Sequence, residues 1–176
     1  MNSINKELEK SPKYIDFIKS IENKKSPIAI SGLTAVSEVS ILSSIQEKLK
    51  RPIMLITYNE VEALKLKKDF DFFTDNAVYL PKKEIVTYDY VAESKNLPYE
   101  RIEVLNKIYK NQNNIVITSI EAVKQKIISK KALYKNVLSF KVGDRLSLED
   151  LKQKLVDLGY KRFELIDARG EFSIRG

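Results

Sequence analysis

The chain has 176 residues, of which 43% are hydrophobic, with 31 Lys and Arg against 24 Asp and Glu and neither Cys nor His. The apolar content is enough for a folded core. The missing Cys and His exclude a disulfide scaffold, a thiolate metal site, a Cys nucleophile and any Ser-His-Asp arrangement. Carboxylate and lysine chemistry and an oxygen-ligand Mg²⁺ site remain open.

Along the chain, Tyr14, Phe17, Ile18 and Ile21 recur at helical spacing and predict an amphipathic helix over 4–23. Pro27 to Ser31 is a short apolar run and predicts a buried strand, turned at Gly32 to Thr34 into a helix over 36–50. Ile53 to Ile56 predicts a second strand. Asn59 then predicts an N-cap, with Glu62 in the capping-box position and a helix to about Phe73. A strand at Ala77–Leu80, a loop punctuated by Pro81, Asp89 and Pro98, a helix over Glu100–Tyr109, a strand at Ile115–Thr118 and a helix over 119–130 follow. Strands alternating with helices predict a parallel sheet covered on both faces, an α/β fold with right-handed crossovers.

Near residue 136 the rhythm changes. Val137–Val142 predicts a strand, Gly143-Asp144 a turn, and Ser147 a cap for a helix with Leu148, Leu151, Leu155 and Leu158 as its apolar stripe. Arg162–Ala168 and Glu171–Arg175 predict two strands around Arg169-Gly170. The expected domains are therefore 1–135, an α/β frame, and 136–176, the start of a small α+β unit. A last strand with no closing element predicts a fragment cut inside a domain.

The N-terminus turns acidic at Glu7 without an apolar stretch, which argues against a signal peptide, and no window approaches the roughly 20 apolar residues of a membrane span. The expectation is a cytoplasmic protein. A net charge of +7 fits a nucleic-acid footprint, but the lysines are interleaved with Glu and Asp, which favours a Lys-rich composition.

The first strand-turn-helix invites comparison with the phosphate-binding pattern G-x-x-x-x-G-K-[ST], whose glycines, lysine and hydroxyl hold phosphates and Mg²⁺. Here Gly32 keeps the first glycine, but Ser37 replaces the second, Glu38 the lysine and Val39 the hydroxyl residue. Glu38 sets a negative charge where a triphosphate would sit, and Val39 cannot ligate magnesium. The loop is degenerate, and no ATP or other cofactor is expected on it. By itself Gly32 also fits a tight strand-to-helix turn.

With this loop come Asn96-Leu97-Pro98-Tyr99-Glu100-Arg101-Ile102, Ile115-Val116-Ile117-Thr118-Ser119, Lys141-Val142-Gly143-Asp144, and the run from Gly159-Tyr160 to Gly170-Glu171-Phe172-Ser173-Ile174-Arg175-Gly176. Together they resemble the N-terminal, UvrB-like region of the bacterial transcription-repair coupling factors, the Mfd family, from about residue 27 onward. The resemblance implies a helicase-like, P-loop NTPase-type first domain without ATPase activity and a second domain that recruits UvrA. It also implies that RNA polymerase and DNA are engaged by the rest of the parent, a translocase that hydrolyses ATP. Of the arginines that carry the UvrA contact in that family, Arg162 and Arg175 match, with Phe172 beside them, while Ser173 stands where UvrB has a further arginine.

Strand alternation places Arg162 and Arg175 on one exposed sheet face, opposite Phe172. The bland alternative makes both ordinary solvated strand residues. Tyr88 and Tyr90, flanking Asp89, and Tyr99 suit base stacking, whereas Glu84, Asp89 and Glu93 show no spacing of a catalytic pair. No catalytic residue or metal ligand is assigned. The leading expectation is a docking module that couples stalled transcription to nucleotide excision repair through UvrA. The alternative is a nucleic-acid-binding or ATP-dependent helicase domain.

Overall fold

The computed structural model describes residues 7–83, 96–111 and 114–175. The chain divides into two compact units, one of Met1–Glu84 with Arg101–Gln125 and one of Ile85–Glu100 with Lys126–Gly176. Tyr88, Asp89, Tyr90, Glu84 and Glu93 lie outside the described residues.

In the first unit, helix α1 (Pro12–Glu22) starts on Pro at its first position, where a missing N–H costs nothing. Helix α2 (Ala35–Leu49) is capped by the Thr34 hydroxyl, which accepts from the Ser37 amide. Strand β1 (Ile53–Thr57) leads to helix α3 (Glu60–Asp71), capped by the Asn59 side chain on the Glu62 amide at 2.8 Å. Strand β2 (Ala77–Leu80), helix α4 (Leu97–Lys110), strand β3 (Ile115–Ser119) and the single turn α5 (Ile120–Val123) complete the series. From Arg101 onward α4 belongs to this unit.

The three strands form a parallel sheet in the order β1-β3-β2, with Leu55, Ile117 and Tyr79 in one register row and Met54, Val116 and Val78 in the next. One face packs on α2 and α3 through Val39, Ala63, Phe70, Ala77, Ile115 and Ile117. Full burial of a side chain such as Phe70 contributes roughly 1.5–3 kcal/mol. Helix α1 joins α2 through Tyr14, Ile18 and Ile45, and the Tyr14 hydroxyl meets Ser44 Oγ at 2.7 Å. On the other face Val78, Leu80, Val116 and Thr118 are buried, whereas Met54 on β1 is 59% exposed.

The architecture is mixed α/β with a small parallel sheet, and one expected strand is missing from it. Pro27–Ser31 forms no ladder, and Ile28 and Ile30 stand exposed. Pro27 has no N–H for a first rung, and β1, which has one neighbour in the sheet, gains no second one from this run. β1 is accordingly an edge strand.

The second unit holds helix α6 (Lys130–Lys135), helix α7 (Leu148–Asp157), and strands β4 (Lys161–Arg162) and β5 (Glu171–Phe172), paired in parallel. Ser129 caps α6 and Ser147 caps α7. The expected helix over 119–130 is split: Ser119 caps a turn that ends at Val123, and Ser129 starts a new helix. The expected strand Val137–Val142 is absent. Lys141 gives its amide to Asp144 Oδ2 at 2.8 Å, and Asp144 returns its own amide to the Lys141 carbonyl. Such local bonds compete with a ladder.

The last two expected strands shrink for the same reason. The Glu171 carboxylate accepts from the amides of Asp167 and Ala168, curling the chain where Arg162–Ala168 would run straight. Gly170, at φ +85°, closes that curl, and a Cβ there would overlap the Tyr99 hydroxyl of the same unit.

Candidate functional site

The degenerate loop lies where the carboxyl end of β1 meets the first turns of α2 and α3. Gly32 adopts φ +79°, the left-handed turn expected of it. Thr34 and Ser37 bond to one another at 2.8 Å, so the hydroxyls near the helix start satisfy each other. Val39 is fully buried in the core cluster that includes Phe70 and Ile117. Glu38 lines a cleft of about 400 Å³, together with Glu62, Lys65 and Asp69 of α3 and Ile56 and Tyr58 at the end of β1. Three carboxylates and one ammonium give this cleft a negative balance, the wrong sign for a polyphosphate.

A second polar cluster occupies the exit of β2, and sequence reasoning missed it. The first residue of α3, Glu60, accepts from the Tyr79 hydroxyl and, at 3.0 Å, from the Lys82 amide. Burial alone would raise its pKa. Hydrogen bonds from the Ser119 side chain, Tyr79 and the Lys82 amide outweigh it and hold the carboxyl below its ordinary value. Arg101, 8% exposed, donates to the Pro81 carbonyl. Thr118 Oγ1 donates to the Leu80 carbonyl at 2.9 Å. Gln125 brackets Lys83, accepting from its amide and donating to its carbonyl. Lys82 Nζ pairs with Glu121 at 2.6 Å. Each residue from Leu80 to Lys83 is thus held by a side chain of α3, α4, β3 or the α5 region. An arginine at Arg101 four residues before Leu105, both on the buried face of α4, was the sequence signal for this cluster.

The arginine surface lies in the second unit. Arg162 is exposed on β4 and Arg175 is exposed beyond β5. Neither forms an ion pair among the described residues. The ladder corrects the shared-face expectation. Arg162 pairs with Phe172 and Lys161 with Glu171, so Arg162 falls on the Phe172 side. Regular strand ends at Phe172, so alternation no longer governs Arg175. Phe172 itself is 8% exposed, a buried side chain on the same face as Arg162. Around it Phe163, Leu165 and Ile166 are exposed, as is much of α7, which buries none of its residues.

Residues 138–176 match the family described as the UvrB interaction domain. Over its whole length the chain is 25% identical to a transcription-repair-coupling factor of Bacillus subtilis strain 168, of which it covers 15%. It is 28% identical over 84% of its length to one from Staphylococcus aureus strain bovine RF122 / ET3-1, and 27% identical over 85% to one from Staphylococcus haemolyticus strain JCSC1435, covering 13% of each. These matches support an N-terminal, UvrB-like module of a transcription-repair coupling factor. The chain spans under a sixth of those relatives' length. The interaction-domain match begins at residue 138 and takes in α7, β4, β5, Arg162 and Phe172. Among the described residues no helix is long and apolar enough to cross a membrane, and no group of three or more acidic side chains is placed to hold a metal ion.

Proposed function

We propose that this chain is a non-catalytic docking piece of a transcription-repair coupling factor, acting in the cytoplasm to recruit UvrA and so couple stalled transcription to nucleotide excision repair. The observation that carries the proposal is the match of 138–176 to a UvrB interaction domain on a unit whose apolar and cationic side chains face outward. That unit buries few large side chains among the described residues, Leu133 and Phe172 being two, yet exposes Phe163, Leu165, Ile166 and Val156. Apolar exposure on this scale marks an interaction surface.

Arg162 and Arg175 supply the specificity. Their guanidinium groups are exposed, and a planar fork pairs bidentately with a partner's carboxylates. Phe172 anchors β5 beside Arg162, its partner in the ladder. In this reading residues 1–135 form a helicase-like frame whose nucleotide loop has been abandoned, and 136–176 begin the UvrA-interaction domain. RNA polymerase, DNA and ATP-driven translocation belong to the rest of the parent protein.

Capture by purified UvrA tests the proposal. The chain is expected to be retained on immobilised UvrA, and Arg162→Ala with Arg175→Ala to reduce retention. Equal retention of the double variant sinks the site assignment. Binding of Mg-ATP by the native chain would instead favour a helicase domain.

A further inference from the structure

Strand β1 ends the sheet with its outer side unpaired. In a parallel ladder a residue directs its own N–H and C=O to the same side. The Ile53 amide donates to the Asn114 carbonyl at 3.1 Å, so Ile53, Leu55 and Thr57 face β3, while Met54 and Ile56 direct their N–H and C=O away from it. Among the described residues no backbone partner reaches those outward groups. We infer that this edge pairs antiparallel with the same edge of a second copy of the chain. The inference concerns the first unit and does not depend on the arginine surface of the second.

The edge is unguarded. Natural edge strands are blunted by a charge, a proline or a bulge. Ile53–Thr57 contains none of these, and it pairs with β3 in unbroken register. Its outward residues also carry apolar side chains on one exposed face, Met54 at 59% and Ile56 at 51%. Free backbone groups and exposed apolar side chains on the same two residues call for an added strand, which satisfies both.

The edge is also complementary to itself. A two-fold axis at Leu55 sets Met54 opposite Ile56 of the second copy, and Ile56 opposite its Met54. Each such pair exchanges two N–H···O=C bonds, so every outward group of Met54 and Ile56 is satisfied. Residues directly opposite share a face, and the paired Met and Ile side chains close into one apolar cluster. Charge fixes the direction. Lys48, Lys50 and Arg51 precede the strand with Glu47 as their counter-charge, whereas Glu60 and Glu62 follow it with no cation before Lys65. Antiparallel pairing brings the cationic end of each copy beside the acidic end of the other, and parallel pairing would oppose like charges. The net charge of +7 on each chain works against association, so the expected dimer is weak.

Sedimentation equilibrium and amide hydrogen exchange on the full 176-residue chain, run from about 10 µM to about 1 mM, test the inference. A monomer–dimer equilibrium is expected. The Met54 and Ile56 amides should gain protection as the dimer fills, while the Leu55 amide, bonded to β3, stays protected at every concentration. Met54→Lys should raise the dimer Kd at least about tenfold, with the Leu55 amide still protected as the sign that the variant folds. Val142→Lys, at an exposed apolar site of the second unit, should leave the Kd unchanged. A monomer throughout that range, a dimer without new protection at Met54 and Ile56, or a dimer that Met54→Lys leaves intact would each overturn the inference. So would protection of both amides at every concentration, which would assign the edge to the chain's own Pro27–Ser31 run.

Discussion

The amide of Lys82 donates to the Glu60 carboxylate at 3.0 Å, tying the exit of β2 to the first turn of α3. Tyr79 and Ser119 add to the same carboxylate, so its charged form is favoured in the folded chain and its pKa lies below the ordinary value. A carboxyl group depressed on folding contributes stability above its unfolded pKa, about 4.3 for Glu, and loses that contribution as pH falls through the folded value. The thermal stability of the native chain should therefore fall as pH drops below about 4.3. Glu60→Gln should flatten that part of the profile while lowering stability at neutral pH. A pH-dependent melting series on both proteins checks this, and identical profiles would contradict it.

Thr118 is fully buried at the centre of the sheet, and its hydroxyl closes on the Leu80 carbonyl at 2.9 Å. Thr118→Val keeps the shape and strands that carbonyl. The expected cost is about 1–3 kcal/mol, read by denaturant unfolding, with Ser129→Ala as a comparison that removes only the cap of α6 at about 1 kcal/mol.

Gly170 combines a left-handed backbone with close approach of the Tyr99 ring. Gly170→Ala should destabilise the second unit by roughly 1–3 kcal/mol. Adding Tyr99→Ala should recover only part of the loss, since relief of overlap leaves the backbone strain. Protease sensitivity of the region beyond α6 reports it directly.

Restoring one charge should not restore a nucleotide site. Glu38→Lys returns a lysine to the loop, but Val39 remains buried in the core and Ser37 remains bonded to Thr34. Calorimetric titration with Mg-ATP should give no saturable heat for the native chain or for this variant.

Much of the first unit was legible because its signals are local. Asn59 with Glu62, the apolar runs at Ile53 and Ile115, and the turn at Gly32 each specify an element without help from distant residues. Pro27–Ser31 misled because an apolar run becomes a strand only if a neighbour accepts its hydrogen bonds. At Val137–Val142 and Asp167–Ala168, side-chain bonds from Asp144 and Glu171 took the backbone amides first.

Of the candidate site residues, Glu38 and Arg162 could be picked out by type and position. Glu60 and the acidic wall of Glu62 and Asp69 could not, since their meaning depends on which elements the fold sets around them. Phe172 was named with the arginines through the family resemblance, and alternation could give its face but not that the face is covered.

The central claim, docking through the arginine surface, is tested most directly by the affinity of the chain for purified UvrA, measured by interferometry for the native protein and for Arg162→Ala with Arg175→Ala. Loss of two charge-assisted contacts predicts at least a tenfold rise in Kd, about 1.4 kcal/mol, with the melting temperature unchanged because both side chains are exposed. A native chain that does not bind UvrA, or a double variant that binds with unchanged Kd, would contradict the account.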